Sequence, residues 1–242
     1  MKAVADIEII EALQKQILTI QGNKPPADGS AKLGLGLIES AFPGNTFPQA
    51  AIHELVSFSQ EDASSTNGFI SVLLSKLMQK GGQCIWISTK RNIFPPGLKM
   101  FGIEPERILF VDAWKLKDAL WVIEESLKCN ALNAVVGEIN EISFNDSRRL
   151  QLAVEKSKVT GLIHRHQPKH INALACVSRW KITSAPSALY DQMPGVGFPK
   201  WEVELLKARN GKPGKWTLQY SPEGLEYVNK KVDVQLEELR IA

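Results

Sequence analysis

Between residues 83 and 165, short apolar segments alternate with longer amphipathic ones. The short segments are apolar along nearly their whole length, while the longer ones carry apolar residues at helical spacing. Such alternation is typical of a parallel sheet covered by helices on both faces. The predicted strands are 83–88, 107–111, 132–138 and 160–165, and the predicted helices are 116–129 and 145–158.

After residue 172 the predicted helices give way to shorter segments. "KWEVELLKA" (200–208) and "KWTLQYS" (215–221) are joined by "RNGKPG", in which Asn-Gly and Pro-Gly are turn formers. Together with "ALACVSRWKITSA" (173–185), these segments are predicted to add antiparallel strands to the sheet edge. Trp201 and Trp216 are expected to pair across the hairpin, and Trp121 is expected to lie in the core.

The first 24 residues are predicted to form a separate helix and the start of a linker. Ile7, Ile10, Leu13 and Ile17 recur at spacings of three and four and form one apolar stripe, which continues to Ile20. A Pro/Gly/Ser-rich linker follows, so this helix is predicted to mediate self-association or partner binding. Residues 25–222 are then one domain, and residues 223–242 are predicted to be a charged tail.

The composition is that of a soluble globular protein. The chain has 242 residues, of which 44% are hydrophobic and 23% charged, enough to bury a full core. No apolar run approaches the roughly 18 residues of a membrane span, and the acid-containing start is unlike a signal peptide. We therefore expect a cytoplasmic protein with no membrane partner. Cys84, Cys129 and Cys176 are far apart and are expected to be reduced core residues.

The net charge of +3 hides an asymmetry along the chain. Residues 147–231 carry 15 Lys and Arg against 6 Asp and Glu, whereas the remainder carries 14 against 20. Such a split can mark a surface for DNA or for an acidic protein, although a solvated surface is an equally simple explanation. The hairpin turn is expected to be a mobile cationic tip. The candidate contact residues are Arg148, Arg149, Lys207, Arg209, Lys212 and Lys215.

The segment "FSQEDASSTNGF" (58–69) follows a predicted strand at 51–57 and precedes a predicted helix, which is the order of a phosphate-binding loop. Such a loop needs glycines, a Lys and a Ser or Thr to hold phosphate and Mg²⁺. Here Gly68 is the only glycine, no Lys lies between Glu54 and Lys76, and two acids would repel a triphosphate. Residues 64–66 are expected to cap the following helix. The predicted degenerate loop comprises Ser59, Gln60, Glu61, Asp62, Asn67 and Gly68.

Two further groups contain residue types that bind metals or act in catalysis. Glu138 ends a predicted strand and could hold Mg²⁺, but without the loop lysine we expect a structural carboxylate. His164 and His166 have ligand-like spacing, yet no Cys or acid lies close in sequence, so "HRHQPKH" (164–170) is predicted to be a basic loop. We therefore predict no catalytic residue, no metal and no cofactor.

The order of these segments carries a resemblance to known proteins. "LGLGLIESAFPGNTFPQAAIHELVSF", "GGQCIWIS", "FGIEPERILFVDAWKLKDALWVIEESLKCNALNAVVGEI", "RRLQLA" and "RNGKPGKWTLQY" together resemble the RecA/RadA recombinase core over roughly residues 30–220. Within that group the chain is similar to the ImuA family, accessory proteins of bacterial inducible mutagenesis cassettes. The resemblance implies an α/β, RecA-like core of mostly parallel sheet, with C-terminal antiparallel strands and an N-terminal helix.

The resemblance also implies a function in the DNA-damage (SOS) response. It implies a non-catalytic scaffold for an inactive, ImuB-like Y-family polymerase homologue and an error-prone, replicative-type C-family polymerase. RecA, DNA and a second copy of the chain are further candidate partners. Two alternatives stay open: a cryptic RecA-type DNA-dependent ATPase, and a cell-division inhibitor similar to SulA that binds a tubulin-like protein.

Overall fold

A computed structural model describes residues 32–79, 81–187 and 197–228. Within these ranges, nine strands form one continuous sheet. In chain order they are β1 (Ile52–Ser57), β2 (Cys84–Ser88), β3 (Ile108–Asp112), β4 (Ala134–Ile139), β5 (Thr160–His166), β6 (Ser178–Ala185), β7 (Lys200–Ala208), β8 (Gly214–Ser221) and β9 (Gly224–Tyr227). Their order across the sheet is β3-β2-β4-β5-β1-β6-β7-β8-β9.

The sheet has a parallel part and an antiparallel part. The strands from β3 across to β6 pair in parallel, and β6, β7, β8 and β9 pair in antiparallel order. The predicted architecture is confirmed, and the strands and helices predicted between 83 and 165 end within two residues of their predicted bounds. The segment predicted as a strand from residue 173 becomes extended only at Ser178, and it pairs in parallel with β1 on its other side.

In the described ranges, three α-helices cover the two faces of the sheet: α1 (Gln60–Leu77), α2 (Leu116–Leu127) and α3 (Phe144–Ser157). Helix α1 packs on one face in a core that includes Trp86, Trp180 and Val203. Helices α2 and α3 pack on the other face, around Ile123 and Val154. Because the parallel strands are covered on both faces, β1 and β4 are buried along their whole length, although β1 carries the polar residues His53, Glu54 and Ser57.

The ordered sheet extends past the predicted domain boundary at residue 222. Gly224–Tyr227 form β9, which pairs with β8. The Tyr227 hydroxyl donates a hydrogen bond to the carbonyl of Leu35 and accepts one from the backbone N–H of Ile38 at 2.9 Å. This side chain therefore attaches the last strand to the segment that precedes β1.

Two predictions about single residues are wrong. Trp121 lies on the solvent side of α2 and is 63% exposed, because the helix turns its Ala119 and Ile123 face to the sheet. Cys129 is exposed, while Cys84 and Cys176 are buried and all three thiols are free. Trp201 lies opposite Leu218 and Trp216 opposite Val203, so the two indoles are diagonal neighbours and not a direct pair.

The predicted N-terminal helix, with its apolar stripe, lies outside the described residues, as does the tail from residue 229 onward. Among the residues that are described, no helix is long and apolar enough to cross a membrane.

Candidate functional site

The connection between β1 and α1 is where a phosphate-binding loop would lie. Strand β1 ends at Ser57 and α1 begins at Gln60, so only Phe58 and Ser59 connect them. The predicted polar loop at 58–69 is therefore wrong: all but its first two residues are helical. A phosphate-binding loop needs about eight residues to wrap phosphate with its backbone N–H groups, and here the helix occupies that length of chain.

The N-terminus of α1 is capped and carries its own negative charge. Ser59 is the N-cap, and its Oγ accepts a hydrogen bond from the backbone N–H of Asp62 at 3.1 Å. Glu61 and Asp62 lie in the first turn, where carboxylates complement the helix dipole. Hydrogen bonds from its own backbone N–H and from Ser59 lower the pKa of Glu61. The end of α1 that would attract an anion is thus already complemented by acids.

Two residues of the predicted degenerate loop lie well inside α1. Gly68 faces Trp201 of β7, and a Cβ at this position would lie 2.8 Å from the indole Cζ2. Asn67 and Thr66 are buried, so the expectation that residues 64–66 cap the helix is wrong. Gly68 is therefore explained by close packing of α1 on the sheet.

Asn67 joins a chain of buried hydrogen bonds at the carboxyl ends of the strands. Its amide nitrogen donates to Glu138 Oε1 at 2.7 Å, and its amide oxygen lies 2.9 Å from His164 Nδ1. Since an amide oxygen can only accept, His164 carries a proton on Nδ1, and its Nε2 forms a hydrogen bond with Ser57 Oγ at 2.8 Å. Four side chains from β1, α1, β4 and β5 are thereby fixed in one orientation.

A serine, a histidine and an amide in hydrogen-bonded series resemble part of a hydrolase site. Ser57, however, is fully buried beneath α1, and His164 is 1% exposed. No substrate carbonyl can reach the Ser57 hydroxyl without displacing the helix. This set of residues stabilises the carboxyl edge of the sheet and is not a nucleophilic site. Sequence spacing could not have shown it, because its members are separated by up to 107 residues.

Glu138 connects this buried chain to an open cleft. The cleft measures about 430 Å³ and lies at the carboxyl ends of β2, β4 and β5. Oε2 of Glu138 is buried and has no hydrogen-bond partner among the described residues. The residues lining the cleft are Thr89, Lys90, Asn92, Trp114, Leu116, Glu138, Ile139, Asn140, His164, His166 and Gln167.

His166 lies beside Glu138 in the cleft wall. Burial lowers its pKa, and the neighbouring His164 and Lys90 lower it further, while the Glu138 carboxylate opposes them. The imidazole is therefore neutral at pH 7. The part of the chain that the structure describes contains no group of three His, Cys, Asp or Glu side chains that could hold a metal ion.

Strand β5 also carries a buried cation. Arg165 is fully buried and donates to Glu54 Oε1 at 2.9 Å and to Glu141 Oε2 at 3.1 Å. The other Glu54 oxygen accepts from Arg179 Nε at 2.6 Å. The prediction of a basic loop at 164–170 is wrong for its first three residues, which lie in β5. It failed because Glu54, 111 residues earlier, neutralises the buried charge.

The six basic residues predicted as a contact surface differ in their surroundings. Arg148 and Lys212 are exposed, and Arg209 is half-buried. The other three bond within the chain: Arg149 to Glu124, Lys215 to Glu202, and Lys207 Nζ to the carbonyl of Leu174 at 3.1 Å.

The hairpin turn between β7 and β8 is packed against the segment before β1, contrary to the predicted mobile tip. The backbone N–H of Lys212 donates to the carbonyl of Ala41 at 2.8 Å. A Cβ on Gly211 would lie 2.3 Å from the same oxygen, so glycine allows this approach.

Comparison with known proteins identifies the family and the fold of this chain. No family model matches the chain. Over 199 residues the chain is 33% identical to Protein ImuA of Caulobacter vibrioides, in each of two strains, covering 77% of this chain and 82% of the Caulobacter protein. The crystal structure of the RadB recombinase matches with a TM-score of 0.56 at 14% identity, covering 82% of this chain and 99% of RadB. The fold is RecA-like, and the chain belongs to the ImuA family.

Proposed function

We propose that this ImuA-family protein is a non-catalytic scaffold of the DNA-damage (SOS) response. It assembles an error-prone translesion synthesis complex by binding an inactive Y-family polymerase homologue and an error-prone C-family polymerase. Membership of the ImuA family supports the pathway. The lack of catalysis is inferred from one observation, the two-residue connection between Ser57 and Gln60.

That connection removes the chemical means of holding a triphosphate by the usual route. Its two residues cannot provide the ring of backbone N–H groups that a phosphate-binding loop uses. The first turn of α1 carries the acids Glu61 and Asp62 and no lysine. Glu138 is the other acidic residue that a nucleotide site could use. One of its carboxylate oxygens accepts a hydrogen bond from the Asn67 amide, and this bond gives it a structural role.

A scaffold needs exposed groups that a partner can bury, and the carboxyl edge provides them. Phe58 after β1, Phe94 after β2 and Trp114 after β3 are 48%, 72% and 87% exposed. Aromatic side chains are enriched among the residues that dominate protein interfaces. Three exposed rings after three parallel strands of the same sheet therefore favour this edge as the binding surface for a protein partner.

Copurification of the three proteins from cells tests this proposal. The double variant Phe94→Ala/Trp114→Ala should reduce capture of the Y-family homologue at least tenfold, because two anchors of the interface are removed. The matched control is Trp121→Ala/Leu152→Ala, which removes two exposed apolar side chains from α2 and α3 and should leave capture unchanged. The absence of a complex with the unaltered chain, or equal capture by both variants, would refute the proposal.

Arg148, Arg209 and Lys212 remain proposed contacts with a partner or with DNA. If they contact DNA, affinity should fall steeply with salt, by a log–log slope of roughly 0.7 to 0.9 for each phosphate neutralised. The double variant Arg148→Glu/Lys212→Glu would then lower both the affinity and the slope. Lys99→Glu/Lys156→Glu makes the same charge change at two other exposed positions and serves as the control.

The competing function is a DNA-dependent ATPase of the recombinase type. Glu138 at the carboxyl end of β4 is the observation that favours it, because an acid there could hold Mg²⁺. A direct measurement of ATP binding decides between the two functions.

A further inference from the structure

The cleft beside Glu138 has the features of a binding site for one particular chemical group. A buried carboxylate oxygen without a hydrogen-bond partner is costly, because desolvation of a charged group is repaid only when a donor reaches it. Glu138 is 6% exposed, and its Oε2 has no partner among the described residues. A ligand of this cleft must therefore bring a strong hydrogen-bond donor.

The side chain at the mouth of the cleft indicates which kind of hydrogen-bond donor would bind there. Trp114 lines the cleft and is 87% exposed, so its indole face is available to a ligand. An indole attracts cations through its ring quadrupole, and a planar cation can also stack on it. A guanidinium combines both properties, since it is planar, always charged and carries five N–H donors in a rigid fork.

The remaining lining residues supply acceptors for such a group. The side chains of Thr89, Asn92, Asn140 and Gln167 all carry oxygens, and His166 Nε2 is buried without a partner among the described residues. Lys90 is the one Lys or Arg side chain of the lining, and it is exposed to solvent. The buried charge of the cleft is negative and the charge at its rim is screened, so the cleft as a whole favours a cationic ligand.

We propose that this cleft binds the guanidinium group of an arginine belonging to a protein that docks at the carboxyl edge of the sheet. The guanidinium stacks on Trp114 and donates to Glu138 Oε2. This inference rests on the proposed function, because it takes the arginine to come from a bound protein. Glu138 is then a recognition residue, held in orientation by Asn67 on its other oxygen.

Titration of the full chain with N-acetyl-arginine amide, followed through the Trp114 indole N–H resonance, tests the ligand chemistry. We expect saturable binding in the millimolar range, at least tenfold weaker binding of the neutral citrulline analogue, and weaker binding of the lysine analogue. Equal responses to the arginine and citrulline compounds, or no saturation with either, would overturn the proposal.

Glu138→Gln tests the carboxylate without disturbing the fold. Its Oε1 can still accept from Asn67, while an NH₂ donor replaces the free oxygen, so affinity for the arginine compound should fall at least tenfold. Glu106→Gln, an exposed carboxylate beside the amino end of β3, is the matched control and should bind normally. Lys90→Gln removes the competing rim cation and should strengthen binding. Equal binding by Glu138→Gln and Glu106→Gln contradicts the proposal, and so does weaker binding by Lys90→Gln.

The source of the arginine is identified by which interaction Glu138→Gln weakens, self-association or binding of the polymerase homologue. If the arginine comes from a second copy of this chain, light scattering of the purified protein should show weaker self-association. If it comes from the polymerase homologue, copurification should fall while the mass in light scattering stays constant. Binding of the arginine compound without capture of any polymerase homologue would uphold the cleft ligand and refute the proposed function, so the two can fail separately.

Discussion

At the scale of single residues, close packing and burial explain positions that a motif search would assign to nucleotide chemistry. Gly68 lies where a phosphate-binding motif would be sought, yet it faces the Trp201 indole across the interface between α1 and the sheet. His53 is also a core residue: it is fully buried, stacks on Phe47 and is hydrogen-bonded to Ser178 at the start of β6. The placement of each residue predicts an effect on stability.

Gly68→Ala should destabilise the protein. Alanine favours a helix over glycine by about 1 kcal/mol, so the substitution would be stabilising on propensity alone. Its Cβ would lie 2.8 Å from the buried Trp201 ring, and overpacking of a rigid core costs about 1–3 kcal/mol. We expect a net loss of about 1 kcal/mol in urea unfolding. Ser64→Ala on the exposed face of α1 is the control and should be neutral. A gain in stability with Gly68→Ala would show that the helix is not held against Trp201.

The second residue-scale prediction concerns pH. His53 Nε2 lies 2.7 Å from the carbonyl of Pro48, and Nδ1 lies 2.6 Å from Ser178 Oγ. Complete burial lowers its pKa from 6.5 to about 4, against the opposing effect of the Pro48 carbonyl. Between these two values the unfolded chain binds a proton that the folded chain does not, so stability is present above pH 6.5 and is lost as the pH falls toward 4.

Lowering the pH from 7.5 to 5.5 should therefore reduce the free energy of unfolding by about 1 kcal/mol through His53 alone. Urea titrations at the two values measure the change. The His53 Hε1 resonance should stay constant over the same range. A resonance that titrates near pH 6.5 would show that this imidazole is hydrated and would contradict the buried arrangement.

At the scale of elements, the ends of the described chain are attached to each other. Strand β9 lies beyond the predicted domain boundary, and its Tyr227 hydroxyl bonds the segment before β1. The hairpin turn contacts the same segment through Lys212 and Ala41. The antiparallel strands are thereby attached to the segment before β1 by one side-chain hydroxyl and one backbone N–H, contacts that no sequence pattern predicts.

Tyr227→Phe should lower the free energy of unfolding by about 1–2 kcal/mol, because it leaves the backbone N–H of Ile38 and the carbonyl of Leu35 without their side-chain partner. The matched control is Tyr220→Phe, the same substitution on neighbouring β8, where the hydroxyl has no backbone partner among the residues that the structure describes. Equal unfolding midpoints for the two variants would show that β9 is not attached as described.

At the scale of the whole molecule, the sheet is predictable because buried parallel strands read as short apolar segments and amphipathic helices as longer segments with apolar residues at helical spacing. The start of α1 could not be predicted in this way. Thr66 and Asn67 are polar and buried, and the partner of Asn67 is Glu138, 71 residues later. Polar residues that are buried by distant partners look like a loop in the sequence. The sequence indicates Glu138 as a possible site residue. The cleft beside it could not be predicted, because it forms only where the fold brings the ends of β2, β4 and β5 together.

Isothermal titration of the purified chain with Mg-ATP shows whether α1 and its acids occupy the place of a phosphate site. We expect no saturable heat at micromolar to low millimolar ATP, and no rise in melting temperature when ATP is present. A saturable site with one ATP per chain in the micromolar range, lost in Glu138→Gln and retained in Glu106→Gln, would show that the carboxyl edge still holds a nucleotide and would contradict the account.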